Sequence, residues 1–453
     1  MALNRENFGS RFGVLMALAG SAIGLGNMWR FPYLTAKNGG AAFILIYFAL
    51  LLTASLPIMI TEYLLGRRSR SNVVSSFARL GHPKLKILGI PSVITAVFIM
   101  GFYCVVGGWA TKYLYNAVLF QYHSTAADYG QLFNSFVTSP AMPLIYTFVF
   151  LALTALITMG GIRKGIERFS KVMMTALFVI IILMAIHTLT LPGAMEGVRY
   201  LLVPDFSKVT ADTILDALGQ SLFTLGLGAG TIFIYGSYVE KEEDLTISAF
   251  TASLLDTIFA IVAGLAIIPA LFAIAAMNGT EPNIDAGPSL AFITLPSIFA
   301  SMPMGDIIAI LFFLALVLAA VTSSVSMFES LAAFFIETTG LKRNGAIIVS
   351  FLTVFIPGIF CSLSQGVLSD FKICGYNVFD FFDHLSSNYL MTTSGLLLLI
   401  FTGWIMDKKD VMDELSGGGR AKVSTGIMNL VYVLIKYVAP LGLAVIFLNA
   451  LFT

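Results

Sequence analysis

The sequence carries little charge. Only 11% of its 453 residues are Asp, Glu, Lys or Arg, and 58% are hydrophobic, whereas roughly 25% of an ordinary soluble globular protein is charged. Its 25 acidic and 26 basic side chains are too few to cover a soluble fold of this length. A net charge of +1 provides no basic face for nucleic acid. We therefore predict an integral membrane protein whose surroundings are the lipid bilayer, with no nucleic-acid partner.

The sequence also has few groups that carry enzymatic chemistry. Three scattered cysteines argue against a disulfide framework or a CxxC metal site: Cys104, Cys361 and Cys374. No GxxxxGK[ST], HExxH or GxSxG motif is present, which argues against ATP hydrolysis and other hydrolytic chemistry. The four histidines are too far apart in sequence to suggest a metal cluster or a base beside a nucleophile. We predict a protein that is not an enzyme and that, if it transports, uses an ion gradient.

Long apolar runs are abundant instead. A helix needs about 20 apolar residues to cross a bilayer, and continuous runs favour helices over a β-barrel. This criterion predicts eleven spans, approximately at 12–36, 41–66, 90–120, 143–159, 166–190, 213–239, 247–277, 305–337, 344–362, 375–406 and 428–451. The expected fold class is an all-α integral membrane protein with eleven transmembrane helices.

The placement of Lys and Arg predicts the orientation, because basic loops stay in the cytoplasm. The loop after the second span contains six basic residues: Arg67, Arg68, Arg70, Arg79, Lys84 and Lys86. Arg5 and Arg11 precede the first span and belong to the same side. We therefore predict a cytoplasmic N-terminus, and an odd number of spans then places the C-terminus outside.

Glycines interrupt the first and sixth predicted spans. Residues 20–32 read GSAIGLGNMWRFP and residues 223–230 read FTLGLGAG. Gly20 and Gly24 alone are also typical of a small-residue packing seam between helices. Paired interruptions in corresponding halves, however, indicate a transporter site. An unwound helix offers free carbonyls to cations and its N-terminal N–H groups to a carboxylate.

In these segments the sequence resembles the neurotransmitter:sodium symporter family, in its bacterial amino-acid branch. Four segments carry the resemblance, in the family's order and spacing: GSAIGLGNMWRFPY, PIMITEYLLGR, SLFTLGLGAGTIFIYGSYV and AAVTSSVSMFE. The resemblance implies the leucine-transporter fold, in which helices 1 and 6 are discontinuous. The expected domain is a single one, with inverted five-helix repeats at about 12–190 and 213–406 and an additional helix at 428–451. It also implies the bacterial inner membrane, and leaves monomer and homodimer open.

The resemblance implies two sodium sites made of oxygen ligands, which suit a hard cation. The first would use backbone and side-chain oxygens of four residues together with the substrate carboxylate: Ala22, Asn27, Thr224 and Asp256. The second would use carbonyl and hydroxyl oxygens of five residues: Gly20, Ile23, Ala319, Thr322 and Ser323. By themselves the hydroxyls at 322–324 are more typical of bonds back to the preceding helical turn, so this site depends on the match in the first span.

Asp256 departs from the many relatives that have Asn at this position. The resemblance places it near Tyr47, Gln220 and Thr224, which correspond to the chloride-binding positions of other members. We predict that its fixed carboxylate replaces chloride, so that transport is chloride-independent, with proton antiport left open. An acid hydrogen-bonded for packing is the alternative, although an intramembrane carboxylate is a functional hypothesis by default.

The expected substrate is a neutral L-amino acid. Monoamine-transporting relatives place an Asp where this chain has Gly24, so the solute must supply its own carboxylate. The implied binding residues are Ala22, Gly24, Leu25, Gly26, Ile99, Tyr103, Phe223, Thr224, Gly226, Ala229, Ser323 and Met327. They form a roomy apolar pocket suited to branched and aromatic side chains, although Phe223 and Met327 are also typical of ordinary interhelical packing.

Charged residues that flank the site are expected to act as gates, because such pairs form only in a closed state. Arg30 and Asp383 are expected to pair outside the substrate, beneath which Phe223 and Tyr103 form an aromatic lid. On the inner side the expected gate consists of Arg5 and Glu337, near Ser237, Tyr238 and Phe8. Three further acids, Glu62, Glu329 and Asp380, are as compatible with a hydrogen-bonded interior as with direct participation.

The predicted function is sodium-coupled symport of neutral hydrophobic amino acids by alternating access. Two alternatives remain at this stage. An ion channel would use the unwound carbonyls to line a pore, which paired gates on both sides argue against. A sensor would bind the amino acid without accumulating it.

Overall fold

The computed structural model describes residues 6–122, 127–282 and 289–452. Within these residues the secondary structure is helical, apart from two isolated β-bridges that join Gly40 to Pro204 and Ile373 to Tyr376. The predicted all-α fold class is confirmed.

Nine continuous helices in the described residues are long and apolar enough to cross a membrane. They are α2 (Ala41–Ser69), α3 (Pro83–Val118), α4 (Met142–Met159), α5 (Ile162–Leu189), α7 (Leu245–Asn278), α8 (Gly305–Thr339), α9 (Arg343–Leu363), α10 (Val378–Ile405) and α11 (Thr425–Leu451). Each overlaps one of the spans expected from the sequence.

The first and sixth predicted spans are broken, as expected. The first consists of α1a (Arg11–Ala22) and α1b (Gly26–Lys37), which are bent by 59° relative to each other. The sixth consists of α6a (Ala211–Thr224) and α6b (Thr231–Gly236), separated by turns at 225–230. The total of eleven spans and the bounds of the inverted repeats stay predictions.

Backbone conformation explains where the two helices break. Ile23 is extended, with φ −71° and ψ 106°, so α1a ends at Ala22. In the break of α6, Gly226, Gly228 and Gly230 have φ of 62°, 83° and 72°, a region that side-chain-bearing residues rarely enter. A Cβ on Gly228 would also lie 2.5 Å from the carbonyl oxygen of Met391. Glycine is therefore required there both by conformation and by space.

Both breaks lie inside the bundle. α1a packs against α5, α7 and α8, and α6b packs against α2 and α8. Gly66 and Gly236 allow α2 and α6b to approach closely, because a Cβ on either glycine would overlap the backbone of the other helix. The polar residues at the breaks are consequently shielded from lipid: Asn27 is 0% and Thr224 is 4% exposed.

Ionic contacts tie together the side of the bundle at which α2 ends and α3 begins, called here the basic side. The helix Lys408–Leu415, which follows α10, lies against the end of α2. Arg67 Nε is 2.9 Å from Glu414 Oε2, and both side chains are at most 5% exposed. Arg68 pairs with Asp410 at 2.7 Å. These contacts fix the segment that joins α10 to α11 onto α2.

The same segment also holds the loop between α6b and α7. Lys241 Nζ lies 2.6 Å from Asp413 Oδ2, and the hydrogen bond that it donates lowers the pKa of the Asp413 carboxyl. Arg67 Nη1 donates to the carbonyl oxygen of Glu243 at 2.7 Å. Residues 407–422 therefore form a strap across the basic side, joined both to α2 and to the α6b–α7 loop.

Candidate functional site

Side chains from the break of α1, from α2, from α6a and from α7 meet around Asp256, forming what we call the Asp256 cluster. Asp256 Oδ1 accepts hydrogen bonds from Asn27 Nδ2 at 2.8 Å and from Thr224 Oγ1 at 3.1 Å. The hydroxyl of Tyr47 lies 3.4 Å from Oδ2. Asn27 Oδ1 accepts from the backbone N–H of Gly24 at 3.0 Å. The break of α1 is thereby joined to α6a and α7 through oxygen-bearing groups.

The carboxylate of Asp256 is buried without a cation. Its residue is 0% exposed, and no Lys or Arg nitrogen of the described residues lies within 4.0 Å of it. Burying a carboxylate without a charge partner is costly. The oxygens of Asn27 and Thr224 beside it are the type of ligand that a hard cation prefers. The chemistry of this donor set therefore fits a sodium ion.

The hydrogen bonding of Gln220 differs from the expectation that it contacts Asp256. It lies one turn before Thr224 in α6a and is fully buried, as its predicted place near Asp256 requires. Neither of its amide atoms, however, has a hydrogen-bond partner among the described residues. Asp256 is instead satisfied by Asn27, Thr224 and Tyr47.

A second group of oxygens lies where α1a ends against α8. Ser323 Oγ donates to the carbonyl of Ile23 at 3.1 Å and lies 3.4 Å from the carbonyl of Gly20. These carbonyls have no helical partner because α1a stops at Ala22. Thr322 Oγ1 bonds back to Ala319 O of its own helix at 3.0 Å. Back-bonding therefore describes Thr322, whereas the Ser323 hydroxyl crosses to the break of α1.

A small cavity of about 30 Å³ lies between the two breaks. Its walls include all the predicted binding residues but one: Ala22, Gly24, Leu25, Gly26, Ile99, Tyr103, Phe223, Thr224, Gly226, Ser323 and Met327. Ala229 is buried but does not line the cavity.

Four wall residues were not among the predicted site residues: Ser21, Thr231, Ser326 and Met391. Ser21 lies in α1a, and its hydroxyl donates to Ser326 Oγ at 2.8 Å. Ser326 lies one turn after Ser323 in α8, so helical periodicity was a usable signal for it. Thr231 begins α6b directly after the glycine run, and its hydroxyl donates to Gly226 O at 3.0 Å. Met391 belongs to α10, and no sequence pattern connects it with the broken helices.

The cavity offers hydrogen-bonding groups but no charge. The hydroxyl of Tyr103 lies 3.4 Å from the backbone nitrogen of Leu25, and none of the wall residues is Asp, Glu, Lys or Arg. A Cβ on Gly24 would lie only 2.7 Å from Ser323 Oγ and 3.0 Å from the Tyr103 hydroxyl. A side chain at position 24 would therefore clash with Ser323 and Tyr103. A charged solute would have to supply its own charges, because the cavity walls carry none.

A cavity of about 510 Å³ lies above the small one, away from the basic side. The two share Leu25, Gly26, Tyr103 and Phe223 as walls, so the rings of Tyr103 and Phe223 separate them. Arg30 and Asp383 both line the larger cavity.

The expected Arg30–Asp383 ion pair is not formed in this structure. Arg30 places its guanidinium carbon 4.9 Å from the centroid of the Phe223 ring, an attraction between a cation and an aromatic face. In this structure Arg30 therefore contacts the ring of Phe223 instead of Asp383.

Only some of the residues expected to form the inner gate belong to the described part of the chain. Arg5 lies outside the described residues. Glu337 accepts hydrogen bonds from the backbone nitrogen of Asn72 at 3.1 Å and from its Nδ2 at 2.8 Å. Tyr238 accepts from the backbone nitrogen of Phe8 at 3.1 Å, and its hydroxyl donates to Glu329 at 2.7 Å. The segment before α1a is thereby attached to the end of α6b.

Two further acids join separate helices on the basic side. Glu329 pairs with Arg343 at 2.6 Å and is fully buried. Glu167, near the start of α5, accepts from the backbone nitrogen of Gly9 at 2.6 Å and from Ser10 Oγ at 2.9 Å. Its negative charge lies at the N-terminus of α1a, where the helix dipole stabilises anions. Glu167 lies in a basic stretch with no motif of its own, so the sequence carries no signal for this contact.

Glu62 connects α2 to the unwound part of α6. Its Oε1 accepts a hydrogen bond from the backbone nitrogen of Gly228 at 2.6 Å, and the residue is fully buried. Asp380, in contrast, lies at the first turn of α10 and accepts a hydrogen bond from Asn377 Nδ2 at 2.7 Å. The three acids left open by the sequence thus differ: Glu62 touches an interrupted helix, while Glu329 and Asp380 bond to neighbours outside the pocket.

Comparisons with known proteins agree with this architecture. The sequence matches the family model of the sodium:neurotransmitter symporters over residues 5–135 and 131–453. It is 38% identical to an uncharacterised sodium-dependent transporter of Bacillus subtilis, over 97% of this chain and 96% of that protein. It is 26% identical to the creatine transporter of Torpedo marmorata, over 91% and 74% of the two chains.

A solved structure is similar throughout its length. The crystal structure of MhsT in complex with L-phenylalanine shares 38% identity with this chain, covers 99% of it and 100% of MhsT, and superposes with a TM-score of 0.89. Both the sequence match and the fold extend over nearly the whole chain. The chain therefore belongs to the sodium:neurotransmitter symporter family, whose members are sodium-dependent multi-pass membrane transporters and not enzymes.

Proposed function

We propose that this protein carries out sodium-coupled symport of neutral hydrophobic L-amino acids, both branched and aromatic, by alternating access and without chloride. One observation carries the proposal: the buried, cation-free carboxylate of Asp256 lies beside an uncharged pocket between two broken helices. The carboxylate demands a cation, and the pocket accepts a solute that brings its own charges.

The first sodium ion would bind in the Asp256 cluster. Its ligands would be the side chains of Asn27, Thr224 and Asp256, the carbonyls of Ala22 and Thr224, and the carboxylate of the amino acid. The hydrogen bonds of 2.8 and 3.1 Å that already join these side chains support a shared ion. Because the substrate would complete the coordination shell, ion and solute would bind together, which is the basis of coupling.

The second sodium ion would bind between α1a and α8. The Ser323 hydroxyl already reaches the carbonyl of Ile23 at 3.1 Å and lies near that of Gly20, and Ala319 and Thr322 supply further oxygens. An ion there would fasten the end of α1a to α8. Its release towards the basic side would free α1a to move.

The fixed charge of Asp256 supports chloride independence. A transporter that binds two cations with its substrate needs negative charge near the first site. Here Tyr47 and Thr224, which correspond by resemblance to chloride-binding positions, both contact a protein carboxylate instead.

The substrate class follows from the pocket. Its carboxylate would bind the N–H groups of Leu25 and Gly26 and the hydroxyl of Tyr103, and its ammonium the carbonyls of Ala22 and Phe223. Ile99, Gly226 and Met327 would surround the side chain with apolar, adaptable groups. A ligand-filled pocket must be larger than about 30 Å³, so Phe223 and Met327 are expected to move on binding. The L-phenylalanine bound to MhsT supports an aromatic substrate.

The basic side would face the cytoplasm of a bacterial inner membrane, because basic loops are retained inside. The 510 Å³ cavity would then open to the outside. Closure would bring Arg30 to Asp383 over the Phe223 and Tyr103 lid, and opening on the cytoplasmic side would release the contacts around Glu337 and Tyr238.

The test is uptake of labelled leucine, tyrosine and tryptophan into proteoliposomes, with an inward sodium gradient against equal potassium, each with chloride or gluconate. We expect accumulation that requires sodium, ignores chloride and is abolished when an ionophore removes the gradient. Asn27→Ala should abolish accumulation, whereas Asn116→Ala, a change at the outer end of α3, should leave it intact.

Other outcomes would identify other functions. Accumulation that requires chloride would retain the symporter but refute the role given to Asp256. Unitary currents without solute accumulation would indicate a channel. Binding of labelled leucine without accumulation would indicate a sensor.

A further inference from the structure

Two lysine ammonium groups converge on one aromatic ring where α10 ends beside α11. Lys408 Nζ lies 5.2 Å and Lys436 Nζ 5.9 Å from the centroid of the Tyr432 ring. Lys436 Nζ also lies 5.0 Å from the centroid of Trp404 and 5.7 Å from that of Tyr437. Each distance is within the range of a cation–π attraction. These five residues form what we call the two-lysine cluster.

Backbone contacts hold the cluster in place. Gly403 brings α10 against α11, since a Cβ there would lie 3.0 Å from the Cα of Lys436. The indole nitrogen of Trp404 donates to the carbonyl of Lys436 at 3.0 Å, and the Tyr432 hydroxyl donates to the carbonyl of Gly403 at 3.4 Å. The rings and the lysine backbone are therefore fixed before any ligand arrives, which lowers the entropic cost of binding one.

The two positive charges are not neutralised. Among the described residues, no carboxylate oxygen lies within 4.0 Å of Lys408 Nζ or Lys436 Nζ, although Arg67, Arg68 and Lys241 nearby are all paired. Asp410 is engaged by Arg68. Asp407 is exposed and forms an ion pair with neither lysine. The arrangement therefore attracts an anion from outside the protein.

The cluster includes exposed aromatic rings and lies beside an exposed apolar face of α11. Trp404 and Tyr437 are 59% and 55% exposed, and large apolar side chains of α11 are exposed on both sides of Tyr437: Leu430, Val433, Val438 and Leu441. An apolar exposed face on a spanning helix contacts lipid chains. Trp and Tyr concentrate at the interface between chains and headgroups, and lysine extends its ammonium to that depth.

We propose that the two-lysine cluster binds the phosphate headgroup of an anionic phospholipid in the leaflet on the basic side of the protein. The lipid chains would lie along the apolar face of α11, and the phosphate would lie between the two ammonium groups. A lysine near an anionic membrane surface contributes roughly a fivefold preference, so the pair should favour an anionic over a zwitterionic headgroup by on the order of tenfold. The sodium and amino-acid sites are not involved.

The test uses the fluorescence of Trp404 in the full-length protein in nanodiscs. Brominated phosphatidylglycerol and brominated phosphatidylcholine are titrated separately over the same range of mole fractions. The fluorescence of Trp404 is obtained by subtracting the fluorescence of the Trp404→Phe variant from that of the unaltered protein. Phosphatidylglycerol should quench Trp404 at a roughly tenfold lower mole fraction. The Lys408→Gln/Lys436→Gln variant should lose this preference, and Lys408→Arg/Lys436→Arg should keep it because Arg retains the charge and the ring contacts.

The matched control is Lys409→Gln/Lys422→Gln, which removes two lysines of the same side that contact no ring. It should keep the preference. Equal quenching by both lipids in the unaltered protein, or loss of the preference in the control, would overturn the proposal. Loss of the preference on addition of excess inorganic phosphate would also overturn it, since the cluster would then bind free phosphate and not a lipid.

Discussion

Arg30 lies over the ring of Phe223, with its guanidinium carbon 4.9 Å from the ring centroid, and not beside Asp383. Arg30 therefore has two possible partners: Phe223, which it contacts here, and Asp383, which lines the same large cavity. Movement of Phe223 onto a bound amino acid would change what Arg30 contacts. Closure of the lid and formation of the ion pair are therefore expected to occur together.

The first prediction concerns this pair. Asp383→Asn should leave binding of labelled leucine within about threefold but reduce sodium-driven uptake at least tenfold, because only the closed state would contain the pair. Binding by scintillation proximity and uptake into proteoliposomes separate the two effects. Asp380→Asn is the control, since Asp380 lines the same cavity but bonds to Asn377. Equal loss of uptake in both variants would argue against a gate.

The second prediction concerns the fixed charge. Asp256→Asn should reduce uptake in chloride-free buffer on the order of a hundredfold and restore a large part of it when chloride is added, because a mobile anion would replace the carboxylate. Asp256→Ala should not be restored, since it also lacks the oxygen that Asn27 and Thr224 contact. Uptake of labelled leucine across a chloride series measures both. An Asn variant indifferent to chloride would contradict the role of Asp256.

The third prediction concerns the oxygens between α1a and α8. Ser323→Ala should raise the sodium concentration for half-maximal uptake about tenfold or more, because it removes the hydroxyl beside the carbonyls of Ile23 and Gly20. Ser324→Ala is a matched control on the same helix, since that hydroxyl faces Thr154 at 2.9 Å. Sodium titrations of leucine uptake compare the variants. The same shift in both would assign the effect to helix packing.

The fourth prediction concerns the strap. Glu414→Gln leaves Arg67 buried without its charge partner and should lower the free energy of unfolding by about 3–5 kcal/mol. Arg420→Gln breaks the ion pair between Arg420 and Glu242, whose side chains are 65% and 54% exposed, and should have a much smaller effect because solvent screens an exposed pair. Thermal unfolding in detergent, followed by tryptophan fluorescence, ranks the two. A smaller effect for Glu414 than for Arg420 would refute a structural role for the buried pair.

The fifth prediction concerns pH. The hydrogen bond from Lys241 lowers the pKa of Asp413 in the folded protein, so its stabilising effect is present above the unfolded pKa of about 3.9 and is lost as pH falls through the lower folded value. The carboxylate side chain is 43% exposed, which limits the effect to about 1 kcal/mol. Asp413→Asn should therefore lower the unfolding temperature slightly at pH 7 and progressively less below pH 4. A difference that grows on acidification would contradict this sign.

Much of the architecture could be predicted because the solvent imposes it. A bilayer requires apolar helices, so the continuous helices could be predicted from their long apolar runs, and glycine runs indicated both interruptions. The pocket residues could be predicted where they belong to segments that resemble the family, from Ala22 to Gly26 and from Phe223 to Gly226. Met391 was not, because it reaches the site from α10 through packing that no local pattern records.

Other features depend on long-range contacts or on conformational state. Arg30 lies over Phe223 and not beside Asp383, and no local sequence pattern distinguishes these two partners. The role of Glu167 could not be predicted, because its partners Gly9 and Ser10 are distant in sequence. They bond through a backbone N–H and a hydroxyl, which form no recognisable motif. Ala229 was expected in the pocket from the family resemblance, but its side chain is buried and does not line the cavity.

The hydrogen bond from Gly228 to Glu62 has a mechanical meaning. None of the pocket's wall residues belongs to α2, yet Glu62 of that helix holds Gly228, which lies in the same unwound segment as the wall residue Gly226. Five residues further along α2, Arg67 is engaged by the strap. A tilt of α2 at the basic side would therefore shift residues 225–230 with it. The part of α2 from Glu62 to Arg67 is in effect a short rigid link between the strap and the unwound segment of α6.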